Sequence, residues 1–144
     1  MHEKGKILAI DYGTKKVGLA VSDDARLLAF GRGIFDRSKG FKTLVKKLEE
    51  LCSAEKIVEF VFGLALDDEG EEGEQAQKVR NFAKKIGLSF PDIKISFIDE
   101  SFSSYDAQNM LKESGQHGHD DEMAAVIILQ RYIDNVVHGD KSSL

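Results

Sequence analysis

The sequence has one cysteine, one proline and no long apolar run, and each scarcity excludes a class of protein. Cys52 cannot form a disulfide within the chain, which favours a reducing compartment and a packing role for this side chain. The uncharged apolar runs fall far short of the roughly 20 residues of a membrane-spanning helix. Residues 1–6 also lack the apolar core of a signal peptide. We therefore expect a cytoplasmic protein with no membrane partner.

Length and composition predict a single folded domain. A chain of 144 residues, 42% of them hydrophobic, can bury a real core. The sequence shows no internal repeat, no low-complexity segment and no linker. We expect residues 1–144 to form one domain, with a disordered tail over about residues 138–144.

The formal net charge of -5 argues mildly against non-specific binding of nucleic acid, because Lys and Arg that neutralise phosphates dominate such binding. The charges are unevenly distributed, however. Basic residues crowd the first third of the chain, whereas acidic residues gather in the short segment 67–74. The basic part could face a polyanion, but on charge alone we favour the ordinary explanation, which is two solvated faces.

Apolar periodicity predicts an antiparallel meander at the start of the chain. Two strands flank a glycine-containing turn between residues 7 and 21, and residues 27–35 supply a third strand after a short polar connection. The pattern becomes helical over residues 41–52. Residues 57–63 then form a strand too apolar to face water on either side, which indicates a crossover into a buried sheet.

The second half of the chain continues this alternation of helices and strands. Apolar residues at helical spacing predict a helix from about Ala76 that Gly87 closes, and residues 93–98 predict a fifth strand. A short helix over residues 104–113 follows, and a last helix that is apolar almost all round begins near Asp120. This order is typical of an α/β, ribonuclease H-like fold: a mixed five-stranded sheet, made of an antiparallel meander plus parallel strands, flanked by helices.

Acidic residues stand at the ends of three predicted elements. Asp11 ends the first strand, Asp99 and Glu100 follow the fifth, and Asp120 and Asp121 begin the last helix. In a sheet of this order strands one and four are commonly neighbours and strand five lies next to strand four, so these carboxylates could converge. A divalent cation would relieve their repulsion, and Mg²⁺ or Mn²⁺ can activate water for attack at phosphorus. Only one residue of the pair 99–100 can take part, because adjacent strand residues point to opposite faces.

Four segments resemble, in the right order, motifs of the YqgF family, also called RuvX, whose members are related to Holliday junction resolvases. Residues 10–23 resemble its opening motif, 62–70 its central Gly-x-Pro segment, 99–107 its Asp-Glu-Arg-Leu-Thr-Thr motif, and 121–130 the Asp-x-x-Ala-Ala start of its last helix. The resemblance spans nearly the whole chain. It implies a metal-dependent nuclease that processes the 5′ end of the 16S rRNA precursor during ribosome maturation. It also implies Mg²⁺ or Mn²⁺ as the cofactor, with three catalytic residues that are also the metal ligands: Asp11, Glu100 and Asp121.

Three sites depart from the family's motifs. Ala65 replaces the proline, Ser101 replaces the arginine, and Ser103 and Ser104 replace the paired threonines. An arginine beside the catalytic glutamate would bind a phosphate bidentately, and Ser101 has no charge with which to do so.

The first turn and the third motif supply candidates for contacts with the substrate, which the resemblance implies is RNA, the 16S rRNA precursor. Hydroxyl, backbone amide and ammonium groups of the turn are suited to phosphate. A solvated turn without a ligand explains residues 14–16 equally well. The candidate substrate-binding residues are Gly13, Thr14, Lys15, Lys16, Ser103 and Ser104.

Three other functions fit the same sequence. A non-catalytic module that binds nucleic acid would keep the fold and lose the chemistry, as Ser101 and the acidic segment suggest. A nuclease similar to Holliday junction resolvases would cut structured DNA and normally needs a symmetric dimer, so monomer and homodimer both stay open. A nucleotide-binding protein is the third, because Asp11, Gly13 and Thr14 also resemble the phosphate-binding turn of actin and sugar kinases. Those proteins close two such domains around ATP.

Overall fold

The computed structural model describes residues 5–67, 69–99 and 120–138, except for the side chains of Asp120 and Asp121. In chain order these residues form strands β1 (Lys6–Tyr12), β2 (Lys16–Ser22) and β3 (Ala29–Asp36), a 3-10 turn (Arg37–Lys39), helix α1 (Phe41–Glu55), strand β4 (Ile57–Leu64), helix α2 (Glu74–Ser89), strand β5 (Lys94–Asp99), helix α3 (Asp120–Tyr132) and a π-helical turn (Ile133–Val137). None of these helices is long and apolar enough to cross a membrane.

The five strands form one mixed sheet in the order β3-β2-β1-β4-β5. β1 pairs with β2 and β2 with β3 in antiparallel fashion, whereas β1 with β4 and β4 with β5 are parallel pairs. The predicted meander, the two parallel additions and the adjacency of strands one and four are therefore confirmed.

The two faces of the sheet are covered by different helices. On one face, apolar side chains of the strands pack against α1 and α2, and Leu8, Ile10, Phe60 and Phe62 belong to this cluster. On the other face, Ile7, Ala9, Ala20 and Val61 pack against α3. Because consecutive strand residues point to opposite faces, β1 contributes alternately to both clusters. Its residues from Ile7 to Ile10 are each 0% exposed.

Two helix predictions differ from the structure. α2 continues through Gly87 to Ser89, because Gly87 does not adopt the left-handed backbone with which a glycine usually ends a helix, and buried Phe90 follows. α3 is fully buried along one face only, at Ala125, Ile128, Leu129 and Tyr132, and its other described side chains are half-buried. Val136, in the turn after α3, is 41% exposed. The predicted helix over residues 104–113 lies outside the described residues. So does the predicted tail from residue 139 onward, whereas His138 Nε2 lies 2.8 Å from the Arg26 carbonyl oxygen.

A buried carboxylate joins β4 and β5 to α3. Glu59 is 7% exposed, and its Oε2 accepts hydrogen bonds from Ser96 Oγ at 2.6 Å and from Tyr132 Oη at 2.5 Å. Burying a carboxylate is costly unless donors satisfy it, so both hydroxyls are needed to hold Glu59 where it lies. Burial, and then the hydrogen bond to Glu59, raise the pKa of Tyr132 to about 12.

We predict that Tyr132→Phe lowers the free energy of unfolding by about 1–3 kcal/mol, because the buried carboxylate loses a donor. Urea unfolding at pH 8 measures this loss, and Tyr12→Phe, the same chemical change at a half-buried tyrosine, is the control. The folded pKa of Tyr132 is raised from its ordinary value of 10.0, so this stabilisation is complete below about pH 10 and disappears as the pH rises towards about 12. Equal losses of unfolding free energy in Tyr132→Phe and Tyr12→Phe would contradict the role assigned to the hydrogen bond between Tyr132 and Glu59.

Candidate active site at the end of strand β1

Asp11 lies half-buried near the carboxyl end of β1, on the face that α3 covers. Ile7 and Ala9, four and two residues earlier, pack against α3, and alternation along the strand assigns Asp11 to the same side. The carboxylate therefore lies at the carboxyl end of a strand whose central residues are fully buried. Ligands of open α/β sheets bind outside the carboxyl ends of parallel strands, and β1 and β4 both end here.

Glycines occupy the positions on both sides of Asp11 in the sheet. Gly18 of β2 is its direct partner, and Gly63 of β4 follows Phe62, which pairs with Ile10. Gly63 lies on the same face as Asp11, because Val61, two residues earlier, packs against α3. Within the described part of the chain, the strand positions that flank Asp11 therefore carry no side chain.

Helix α3 begins near the same edge of the sheet. Glu122 Oε2, in its first turn, accepts a hydrogen bond of 2.7 Å from Gly33 N, and Gly31 leaves the space that the Glu122 carboxylate occupies. Further along α3, Gln130 binds the start of β3 through Ala29 N at 3.0 Å. β3 runs in the same direction as β1, so α3 starts towards the Asp11 end and runs away from it.

The other predicted carboxylates are only partly described. The backbone of Asp121 lies in the first turn of α3, and Glu100, Ser103 and Ser104 lie outside the described residues. Asp99 is the last residue of β5 and alternates with Ile98, which packs on the α3 side, so Asp99 belongs to the opposite face from Asp11. Among the described residues, no three His, Cys, Asp or Glu side chains are close enough to hold a metal ion. The convergence of Asp11, Glu100 and Asp121 stays a prediction.

The turn between β1 and β2 is held by Arg37, a residue that sequence reasoning counted only among the basic residues of the first third. Arg37 Nη1 donates to the carbonyl oxygens of Gly13 at 2.9 Å and Thr14 at 3.0 Å. The backbone N–H of Arg37 also donates to the Lys15 carbonyl oxygen at 2.9 Å. A Cβ at Gly13 would lie 2.4 Å from the Lys16 carbonyl oxygen, so the turn requires glycine there.

The side chains of the turn form a basic surface. Those of Thr14, Lys15 and Lys16 are exposed and share a cleft with Asp36 and Ser38. Hydrogen bonds from Ser38 lower the pKa of Asp36, and the charges of Lys16 and Lys39 lower it further. Asp36 thus serves as the cap of the turn at Arg37–Lys39. The cations of this surface outnumber its one acid.

Much of the acidic segment has local partners. Asp67 Oδ1 accepts from the backbone N–H groups of Glu69 and Glu71, both at 2.9 Å, and so shapes the loop. Glu72 forms a two-point ion pair with Arg80 at 2.6 Å, and this bond lowers the pKa of Glu72. Glu74 lies in the first turn of α2, where a negative charge is favourable. These contacts favour a structural role for the segment over repulsion of nucleic acid.

Cys52 is half-buried, and burial, followed by the nearby Glu49 charge, raises the pKa of its thiol to about 11. A thiol with such a pKa is a poor nucleophile at neutral pH. The packing role that the sequence predicts for Cys52 is consistent with this position beside the α1–α2 cluster.

Comparison with known proteins identifies clear relatives. The model of the family RuvX, described as Holliday junction resolvase, matches residues 5–135. A protein of Porphyromonas gingivalis named "Putative pre-16S rRNA nuclease" is 39% identical over 138 residues, which are 91% of this chain and 97% of that protein. A protein of the same name from Dictyoglomus thermophilum is 36% identical over 135 residues, 90% of this chain and 96% of that one.

The fold has a counterpart among solved structures. RuvC of T. thermophilus, in complex with a Holliday junction substrate, superposes with a TM-score of 0.58 and covers 92% of this chain and 96% of its own. The identity is 13%, so this likeness concerns the fold alone. It confirms the ribonuclease H-like architecture expected from the order of strands and helices.

We predict that Gly13→Ala destabilises the protein by about 1–3 kcal/mol, because the added Cβ would overlap a backbone carbonyl that cannot move away easily. Gly87→Ala is the matched control. Gly87 lies inside α2, and its added Cβ would meet Ile95 Cγ1 at an ordinary contact distance of 3.8 Å. We therefore expect the free energy of unfolding to rise by about 0.5–1 kcal/mol. Urea unfolding of both variants measures the expected loss of stability in Gly13→Ala and the expected gain in Gly87→Ala. A neutral Gly13→Ala would contradict the constraint assigned to this turn.

Proposed function

We propose, because the chain belongs to the RuvX family, that it is a cytoplasmic nuclease that hydrolyses phosphodiester bonds and processes the 5′ end of the 16S rRNA precursor. The names of the relatives from Porphyromonas gingivalis and Dictyoglomus thermophilum support this substrate, and their alignments span nearly the whole of each protein. The observation that carries the proposal is the position of Asp11, fixed at the end of β1 between two glycines and facing the side where α3 begins.

Asp11, Glu100 and Asp121 are the residues that we propose as ligands of a divalent cation, Mg²⁺ or Mn²⁺. The surroundings of Asp11 fit such an ion, because carboxylate oxygens are hard ligands and the flanking glycines leave room beside them. Asp99 points to the other face, which favours Glu100 as the acid that contributes from this pair. When bound, the cation would activate a water molecule and stabilise the leaving oxygen of an in-line displacement at phosphorus.

The basic turn provides the contacts that we propose for the substrate backbone. The Thr14 hydroxyl and the Lys15 and Lys16 ammonium groups are exposed in the turn that follows Asp11 and Tyr12, and we propose that they bind phosphates on either side of the cleaved bond. Arg37 fixes the backbone of this turn, so the distance between the bound phosphates and Asp11 varies little. Gly13 permits the tight turn, and Ser103 and Ser104 complete the proposed set.

Cleavage of a four-way DNA junction is the second candidate function. The description of the matched family favours it, as does the fold shared with RuvC. RNA is the preferred substrate in this proposal because the curated relatives are named for an rRNA precursor.

We predict that Asp11→Asn abolishes cleavage, because an amide is a much weaker cation ligand than a carboxylate. Loss of a direct ligand should cost more than the roughly 10–100-fold typical of outer-shell partners. The assay compares precursor 16S rRNA, single-stranded DNA and a four-way DNA junction, each with Mg²⁺, Mn²⁺ or EDTA. Asp99→Asn removes the same charge at the same edge of the sheet but on the opposite face, and should cut like the wild type.

The outcomes separate the candidate functions. Cutting of the junction but not of the RNA precursor would replace the proposed substrate with DNA. Folded wild-type protein that binds RNA without cutting it under any condition would contradict the nuclease and favour the non-catalytic binding module. Equal activity of the Asp11→Asn and Asp99→Asn variants would rule out the proposed role of Asp11.

A further inference from the structure

A cavity lies on the opposite face of the sheet from Asp11, between the end of β1 and the helices α1 and α2. It has a volume of about 320 Å³. Tyr12, the residue next to Asp11, lines it, but on the opposite face of the sheet. The cavity and Asp11 thus lie on opposite faces of the sheet at the same end of β1. A ligand strand that passes over the end of β1 can reach both.

The charged residues that line this cavity are all cationic: Arg37, Lys78 and Lys85. Among the described residues, no acidic side chain lines it, although the chain as a whole carries a net charge of -5. Within the described part of the chain, the ion pairs join Glu55 to basic residues near β1 and β3, and Glu72 to Arg80, so they do not use these three cations. A concentration of positive charge with no carboxylate in its walls is suited to an anionic ligand.

Aromatic rings form the inner wall of the same cavity. The ring centroids of Tyr12 and Phe82 are 4.7 Å apart, and those of Phe41 and Phe82 are 6.5 Å apart. Phe82 is buried, whereas Tyr12 and Phe41 are half-buried and can offer ring surface to a ligand. Lys85 Nζ lies 4.2 Å from the Phe41 centroid, and Arg37 Cζ lies 4.7 Å from that of Tyr12, so cations and rings are interleaved.

We propose that this cavity binds one unpaired nucleotide of the nucleic-acid strand whose backbone passes Asp11. The base would lie against Tyr12 and Phe41, and Lys78 and Lys85 would bind its phosphate. Stacking on aromatic rings beside a basic surface is how proteins hold single-stranded nucleic acid without reading its sequence. This inference rests on the proposed function, because it extends the substrate contacts of that site to the other face of the sheet.

Binding of a single-stranded hexaribonucleotide in EDTA tests the proposal without any cleavage. The variant Lys78→Gln/Lys85→Gln removes two cations of the cavity, and Lys42→Gln/Lys84→Gln removes two exposed cations of α1 and α2 that do not line it. We expect the first variant to bind about tenfold more weakly. We also expect the slope of log affinity against log salt to fall by about 0.7, since the two lysines bind one phosphate and each single-strand phosphate contact contributes about 0.7. The control should change neither quantity.

Photo-crosslinking of a hexamer with one 4-thiouridine locates the base directly. Adducts at Tyr12 or Phe41, mapped by mass spectrometry, would support the cavity as the base site. Adducts confined to other residues would overturn it. Equal affinities and salt slopes for the two double variants would overturn it as well.

The free nucleotide 5′-AMP distinguishes a strand from a small-molecule ligand. We expect AMP to bind at least about tenfold more weakly than the hexamer, because it offers one base and one phosphate only. AMP that binds as tightly as the hexamer would overturn the assignment to a strand. Wild-type protein that gives the expected binding results but does not cut RNA would contradict the proposed nuclease and still support the cavity. The failures of the two proposals are therefore distinguishable.

Discussion

The burial of β1 on both faces is the constraint on which the other features depend. β1 has a paired strand on each side and a helical layer above and below, and its central residues have no contact with solvent. A register slip by one residue would exchange its two sets of side chains, which would destroy both apolar clusters. Because burial fixes the register of β1, Asp11 lies on the face that α3 covers and Tyr12 on the face that α1 and α2 cover. The separation of the candidate catalytic centre from the basic aromatic cavity therefore follows from packing in the middle of the strand.

Polar contacts then place the remaining parts of the site relative to β1. Glu122 and Gln130 bind α3 to the backbone of β3, so the start of the helix is defined by bonds as well as by apolar packing. Arg37 likewise holds the turn between β1 and β2, because it donates hydrogen bonds to carbonyl groups of this turn and lies against the ring of Tyr12. Each contact joins residues more than 20 positions apart and fixes an element that carries proposed functional groups.

Periodicity predicted the order of strands and helices well, because alternation and apolar runs reflect burial directly. It also identified Asp11, a lone charge at the end of an apolar strand. It failed at Gly87, where a glycine that ordinarily marks a helix end is tolerated inside the helix. The roles of Arg37, Glu59 and Glu122 were not predictable, because each depends on a partner brought close only by the complete fold. Glu59 interrupts an apolar strand, which indicates burial but does not identify its partners, and nothing in the local sequence distinguishes Arg37 and Glu122 from surface charges.

The contact of Glu122 with β3 has a consequence for how copies of the chain meet one another. β3 is an edge strand, and its pairing with β2 contains one extra residue between Ile34 and Gly31, with Gly33 at a φ of +89°. A bulge of this kind twists an edge and interrupts the regular row of backbone groups to which a foreign strand could add. By occupying the amide of Gly33, Glu122 removes one further donor from that edge. The bond that positions the last helix also protects the folded chain against aggregation.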